Sequence, residues 1–188
     1  MPVRVARLLA DKRKTQELRP GSRNELLFAI EELSRSCARA RIDRLLDTRE
    51  YSSSEVRSKL RQDGYAPEVI DACVARACEV GLISDARYAD AFIRSKLGAG
   101  WGAARITREL SAKGIEIFQL RGWPDDYFDP DDELSRALEV ARRKRVSGPR
   151  SYEKLVRHLS GKGFTFGVAT KAARQALDER EAADLVDF

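Results

Sequence analysis

Ile106-Thr107-Arg108-Glu109-Leu110-Ser111-Ala112-Lys113-Gly114-Ile115 carries the pattern that sets the architecture: an apolar residue, a leucine four later, a glycine four beyond that, then another apolar residue. Val56-x-x-x-Leu60-x-x-x-Gly64-Tyr65 lies upstream and Leu155-x-x-x-Leu159-x-x-x-Gly163-Phe164 downstream, so the three glycines stand 50 and 49 residues apart. Apolar residues at i and i+4 share one face of a helix, and glycine is the usual helix stop. A helix of this kind recurring near every fifty residues is the mark of tandem helical modules, each burying its stripe within itself and against its neighbours.

Outward from the motifs, the chain divides into an extension (1–37) and three three-helix repeats (38–83, 84–128 and 129–188). In the extension, Val3 and Val5 alternate before a basic run that ends at Pro20-Gly21, which reads as an edge strand or a mobile arm. Ser22-x-x-Glu25 has capping-box spacing, and Leu26, Ile30, Leu33 and Cys37 follow at helical intervals, so an amphipathic helix starts near residue 23.

Repeat one places Ile42, Leu45 and Leu46 on its first helix, and the cluster 51–55 ends that helix and caps the next. Pro67 opens a third with Val69, Ile70, Cys73, Val74 and Ala77, which Gly81 closes. Repeat two begins at Ser84 or Asp85 with Tyr88, Ala89, Phe92 and Leu97, of which Tyr88 and Phe92 are expected in the core. It turns at Gly98, Gly100 and Gly102 around Trp101. Its third helix is doubtful because Gly122-Trp123-Pro124 follows closely on Ile117, Phe118 and Leu120. Repeat three has acid at its start (Asp129, Asp131, Asp132, Glu133) and Arg142-Arg143-Lys144-Arg145 at the end of its first helix, both matching the macrodipole. Leu155 and Leu159 line its second helix and Val168, Ala169, Ala172, Ala173, Ala176 and Leu177 its third. From Asp178 the chain reads as a fraying acidic tail.

Apolar runs such as Leu26–Ile30 are too short to span a bilayer, and charges at Arg4, Arg7 and Asp11–Lys14 interrupt any secretory signal, so a cytoplasmic location is expected. The three cysteines make no disulfide framework, and Cys73-x4-Cys78 with a distant His158 makes no metal site. Gly98-x-Gly100-x-Gly102 lacks the lysine and preceding strand of a nucleotide loop. With no nucleophile or carboxylate placed around it, His158 reads as a surface residue. No enzyme, cofactor or metal is expected.

The net charge of +5 favours an acidic partner, and its placement is more telling than its size. Arg94, Lys96, Arg105, Arg108 and Lys113 gather in repeat two, and Arg143, Arg145, Arg157 and Lys162 in repeat three. Arg105 and Arg108 are three apart, a spacing that suits phosphates, an acidic protein groove or a merely solvated face. Trp101 is either a stacking platform or an anchor across a repeat boundary, and the anchor is favoured.

Gly81-Leu82-Ile83-Ser84-Asp85-Ala86-Arg87-Tyr88-Ala89-Asp90-Ala91-Phe92-Ile93-Arg94-Ser95-Lys96, with Gly100-x4-Arg105-Ile106-x2-Glu109-Leu110-x2-Lys113-Gly114-Ile115, resembles the signature of the RecX family, bacterial regulators of the RecA recombinase. The likeness runs from about residue 38 to 177. It implies an all-α array of three tandem helix-turn-helix-like repeats, elongated and curved, lying in the groove of a RecA filament on single-stranded DNA. It also implies inhibition of RecA ATP hydrolysis and strand exchange. Where the family has an acidic third helix after Lys-Gly-Ile, this chain has Phe118-Gln119-Leu120-Arg121-Gly122-Trp123-Pro124.

The leading expectation is a monomeric, non-enzymatic regulator touching RecA and nearby single-stranded DNA. Its rivals are a helix-turn-helix-like duplex reader acting in transcription and a nonspecific single-strand binder.

Overall fold

Gly64, Gly114 and Gly163 all adopt left-handed backbone, with φ of 84°, 74° and 95°. In each case the next residue's amide turns back to the motif leucine: Tyr65 to the Leu60 carbonyl (3.1 Å), Ile115 to Leu110 (3.0 Å) and Phe164 to Leu159 (3.2 Å). This is the Schellman closure, in which a left-handed residue lets the chain satisfy a carbonyl the helix leaves open. Both partners are buried in all three copies, so leucine, glycine and the following apolar residue form one physical device.

The computed structural model describes the backbone of residues 1–186; the side chains of Gln119, Pro130, Asp131 and 184–186 fall outside that description. The acid read at Asp131 and the last residues of the acidic tail therefore lie outside the described residues. Among the described residues the chain is all-α, with helices α1 (Val3–Lys14), α2 (Arg23–Leu46), α3 (Ser53–Gln62), α4 (Pro67–Glu79), α5 (Asp85–Gly98), α6 (Ala103–Ala112), α7 (Pro130–Arg143), α8 (Ser151–Lys162) and α9 (Phe166–Val186). They gather into two units, Met1–Tyr88 and Ala89–Phe188.

In the first unit, the residues expected as strand or mobile arm form α1. Val5 is fully buried and Leu8 packs beside it, an i, i+3 pair that outweighs the two-residue alternation of Val3 and Val5. Ser22 Oγ accepts the Glu25 amide at the start of α2, but the Glu25 carboxylate reaches back to the Gly21 amide at 2.7 Å, one residue beyond the expected capping box. α2 then runs unbroken to Leu46. Ser52 heads α3 with a full capping box. Asp85 adds a second lock, accepting from the Ser53 amide at 2.7 Å and its hydroxyl at 2.6 Å. Val56, Leu60, Ile70 and Val74 fill the core with Ile42 and Tyr65, each aliphatic side chain contributing about 1.5–3 kcal/mol by burial. Cys37 and Cys73 are buried there, whereas Cys78 is exposed.

In the second unit, Ala89 and Ile93 are fully buried on α5, and Phe92, expected in the core with Tyr88, is only half-buried. One helical position separates Phe92 from Ile93, enough to turn a side chain from core to rim. After α6 the chain makes only a single 3-10 turn, Ile117–Gln119, where the other repeats have a third helix. Ile115 and Ile117 are nonetheless buried, so the segment still covers Ile106 and Leu110. α7 and α9 pack through Ala137, Ala141, Ala169, Ala172, Ala173 and Ala176, whose short side chains allow close approach.

The segment expected to fray from Asp178 instead continues α9. Glu179 takes two hydrogen bonds from Arg142, at 2.8 and 2.7 Å. Arg180 donates to the carbonyls of Ala141, Arg142 and Lys144 at 2.9, 3.2 and 2.9 Å, closing the open end of α7.

Candidate functional site

The turn from α5 into α6 is built against the end of α8. Gly102 donates its amide to the Lys162 carbonyl at 2.9 Å. A Cβ at Gly102 would collide with the Gly163 backbone, and one at Gly163 with Arg105. Two glycines thus face each other where two backbones meet, which only residues without side chains permit. Arg136 of α7 donates to the Trp101 carbonyl and lies 5.5 Å from the Phe128 ring and 5.9 Å from the Phe164 ring. Burial works against the charge on Arg136, while Asp132 and Glu133 favour it.

Trp101 is half-buried in this turn. The Arg105 guanidinium sits 3.8 Å over its ring, Phe92 meets it edge-on at 6.4 Å, and the Lys96 ammonium lies 5.1 Å away. Lys96 and Lys113 also approach the Phe92 ring, at 5.2 and 5.9 Å. Each such contact contributes about 0.5–1 kcal/mol at exposed sites, and together they fix several cations around one aromatic pair. The ring contacts of Trp101 thus lie within the second repeat, and its backbone carbonyl, held by Arg136, is what meets the third.

All ten expected binding residues lie in the second unit, but not in one cluster. Lys96, Trp101, Arg105 and Lys113 come together as described. Arg143 and Lys162 meet at a concavity of about 280 Å³, lined also by Ala99, Gly100, Val140, Lys144 and His158. Arg145 lines a neighbouring concavity with Lys144, Val146, Ser147 and Lys154. Arg94 is turned to other work: it pairs with Asp90 at 3.0 Å and approaches the Tyr127 ring at 5.6 Å. The Arg94 pairing, with the Tyr127 hydroxyl, lowers the Asp90 pKa.

Arg108 and Arg157 remain. Each stands two residues after the first apolar residue of its motif, Ile106 and Leu155, on the second helix of its repeat. Both are exposed, and neither makes an ion pair or side-chain hydrogen bond among the described residues. Lys113 and Lys162 likewise share a position, immediately before the motif glycine. In the first repeat the same two places hold Ser58 and Asp63, and Asp63 pairs with Arg41 at 2.8 Å. The cationic pattern thus belongs to the second and third repeats and is absent from the first.

Sequence alone gives Lys144 no place among the binding residues and makes His158 an isolated surface residue. In the fold, burial, followed by Lys144 and Lys162, lowers the His158 pKa. Aligning the three motifs brings out the Arg108/Arg157 match, but the meeting of α7's end with α8 has no local sequence signal.

The fold and this surface define an all-α helical-repeat protein whose second unit exposes grouped cations on α6, on α8 and at the end of α7. Models of the first and second three-helix domains of RecX match residues 38–76 and 84–116. The regulatory protein RecX of Pseudomonas entomophila (strain L48) is 39% identical over 127 residues, covering 64% of this chain and 79% of that one. The regulatory protein RecX of Chromohalobacter salexigens is 38% identical over 125 residues, covering 65% and 82%. Among solved structures, a crystal structure of regulatory protein RecX aligns with a TM-score of 0.68 at 22% identity, covering 82% of this chain and 81% of that one. RecX from Lactobacillus salivarius aligns at 0.63 and 21%, covering 76% and 96%. The chain belongs to the RecX family.

Proposed function

We propose that this protein is a non-catalytic, cytoplasmic regulator that binds RecA filaments on single-stranded DNA as a monomer and restrains RecA ATP hydrolysis and strand exchange. The observation that carries this reading is the matched pair Arg108 and Arg157, exposed and unpaired among the described residues at one motif position of successive repeats. Cations repeated by the period of the chain itself suit a partner that also repeats, and a nucleoprotein filament repeats both its protein surface and its phosphates. Contacts made by successive repeats become intramolecular after the first, so modest ones accumulate into useful affinity.

A reader of duplex sequence needs side chains such as Asn or Gln directed at base edges, and an arginine held ready to fork onto guanine. Here the second helices of repeats two and three carry no Asn or Gln, and they expose Arg108 beside Ala104 and Ser111 and Arg157 beside Glu153, Lys154 and Ser160, which suits phosphates and protein carboxylates.

The reading is tested by fluorescence anisotropy of the labelled protein against RecA–oligothymidylate filaments, free RecA, free oligothymidylate and several duplexes at one salt concentration. Tightest binding to the filament supports it. Equal or tighter binding to one duplex sequence overturns it.

A further inference from the structure

Lys144 lies at the end of α7 and lines both concavities of the second unit. On one side are Arg143, His158 and Lys162, with the Ala99–Gly100 turn alongside; on the other are Arg145 and Lys154. No carboxylate lines either concavity among the described residues. Arg143 does pair with Glu139, at 3.3 Å, but both side chains are largely exposed (79% and 62%), so solvent screens that pair and leaves the guanidinium available.

A helix end with open carbonyls would repel an anion, and α7 ends beside these concavities. Arg180 removes that obstacle by covering the carbonyls of Ala141, Arg142 and Lys144. The result is a row of cations joined at one shared lysine. A single free anion would use one concavity; two adjoining ones suit a chain of anions. Trp101 directly follows Gly100, which lines the first concavity, and its ring is only half-buried, which favours a strand carrying rings over an acidic peptide.

We propose that the two concavities joined at Lys144 form a binding track for consecutive phosphodiesters of a single nucleic-acid strand, with Arg143, Lys144, His158 and Lys162 holding one phosphate and Lys144, Arg145 and Lys154 the next. This deepens the reading of the second unit as the anion-facing part of the protein, and its test leaves RecA out, so the two can fail separately. Lys154 now donates to the Ser147 carbonyl at 3.0 Å and exchanges that bond for a phosphate oxygen.

His158 is the chain's one histidine, so its ring protons report on the track without ambiguity. Proton NMR of the full-length protein follows the imidazole titration alone, with oligothymidylate, with inorganic phosphate and with polyglutamate, at equal ionic strength. A bound phosphate beside the ring favours its charged form, so oligothymidylate raises the His158 pKa by at least about half a unit. Lys144→Gln abolishes the rise and weakens oligothymidylate binding about tenfold, with a salt slope shallower by about 0.7 for each phosphate no longer neutralised. Lys59→Gln, in the first unit, leaves both unchanged. A titration that oligothymidylate does not move overturns the track. A rise with inorganic phosphate alone overturns the strand in favour of a free anion, and a larger rise with polyglutamate overturns it in favour of an acidic protein. Circular dichroism of Lys144→Gln, together with the wild-type titration that needs no variant, keeps a folding defect from deciding the outcome.

Discussion

The amide of Gly102 and the carbonyl of Lys162, 2.9 Å apart, join the start of α6 to the end of α8. Neither group has a partner within its own helix at that position, so one bond satisfies two helix ends at once. The second repeat lacks a third helix, and this backbone bond gives it a footing on the third repeat.

Gly102→Ala and Gly163→Ala are therefore expected to destabilise the second unit by about 1–3 kcal/mol, the usual cost of forcing atoms into a filled space. Gly163→Ala carries the added cost of a side chain at φ 95°. Hydrogen exchange checks this by region: amides of α6 to α9 lose protection while those of α2 to α4 keep theirs.

Ser52→Ala removes the buried cap of α3, leaving the Glu55 amide without its acceptor. A loss of about 1 kcal/mol is expected, read as a lower denaturant midpoint with unchanged slope. Asp85→Ala has a similar effect on the same helix start through Ser53, whose amide and hydroxyl it deprives of their acceptor.

Stability also depends on pH through His158, whose pKa burial, Lys144 and Lys162 lower. As pH falls, the unfolded chain takes up this proton first, so stability is whole above the unfolded value of about 6.5 and is lost as pH drops through the lower folded value. The carboxyls of Asp90 and Glu179, also lowered, contribute in a separate window below about pH 4.5. Denaturant midpoints at pH 7.5, 6.5 and 5.5 should fall in that order for the wild type. His158→Gln should flatten them.

Arg108→Ala with Arg157→Ala is expected to leave stability within about 0.5 kcal/mol, since both side chains are exposed and unpaired among the described residues. Filament affinity should fall about tenfold or more, equivalent to about 1.4 kcal/mol. Arg105→Ala is a different experiment. Its guanidinium lies on Trp101 and donates to the Gly161 carbonyl at 3.4 Å, so its loss disturbs packing along with charge. Thermal melts beside binding titrations separate the two behaviours.

The repeats are legible in sequence because leucine, left-handed glycine and the next apolar residue form a local device, complete within six residues and repeated three times. The helix starts at Ser22, Ser52 and Pro67 are legible for the same reason. What sequence misses is non-local. In α1 the apolar residues fit two periods, Val3 and Val5 alternating while Val5, Leu8 and Leu9 follow at helical spacing, and only burial of Val5 against the first unit's core decides between them. The last turns of α9 read as an acidic tail because Arg142, and the carbonyls that Arg180 closes, lie far back along the chain. The basic residues are identifiable as types, but their division into an aromatic-bound group, an Asp90-paired Arg94 and a group around Lys144 depends on which helix ends meet.

RecA ATP hydrolysis on single-stranded DNA, titrated with the wild-type protein and with the Arg108→Ala, Arg157→Ala double variant, tests the proposed regulation most directly. Inhibition by the wild type at or below micromolar concentration, with the variant needing about tenfold more, is the result expected. Full RecA turnover at micromolar excess of the wild type, or equal inhibition by both proteins, would contradict a regulator that acts through these two arginines.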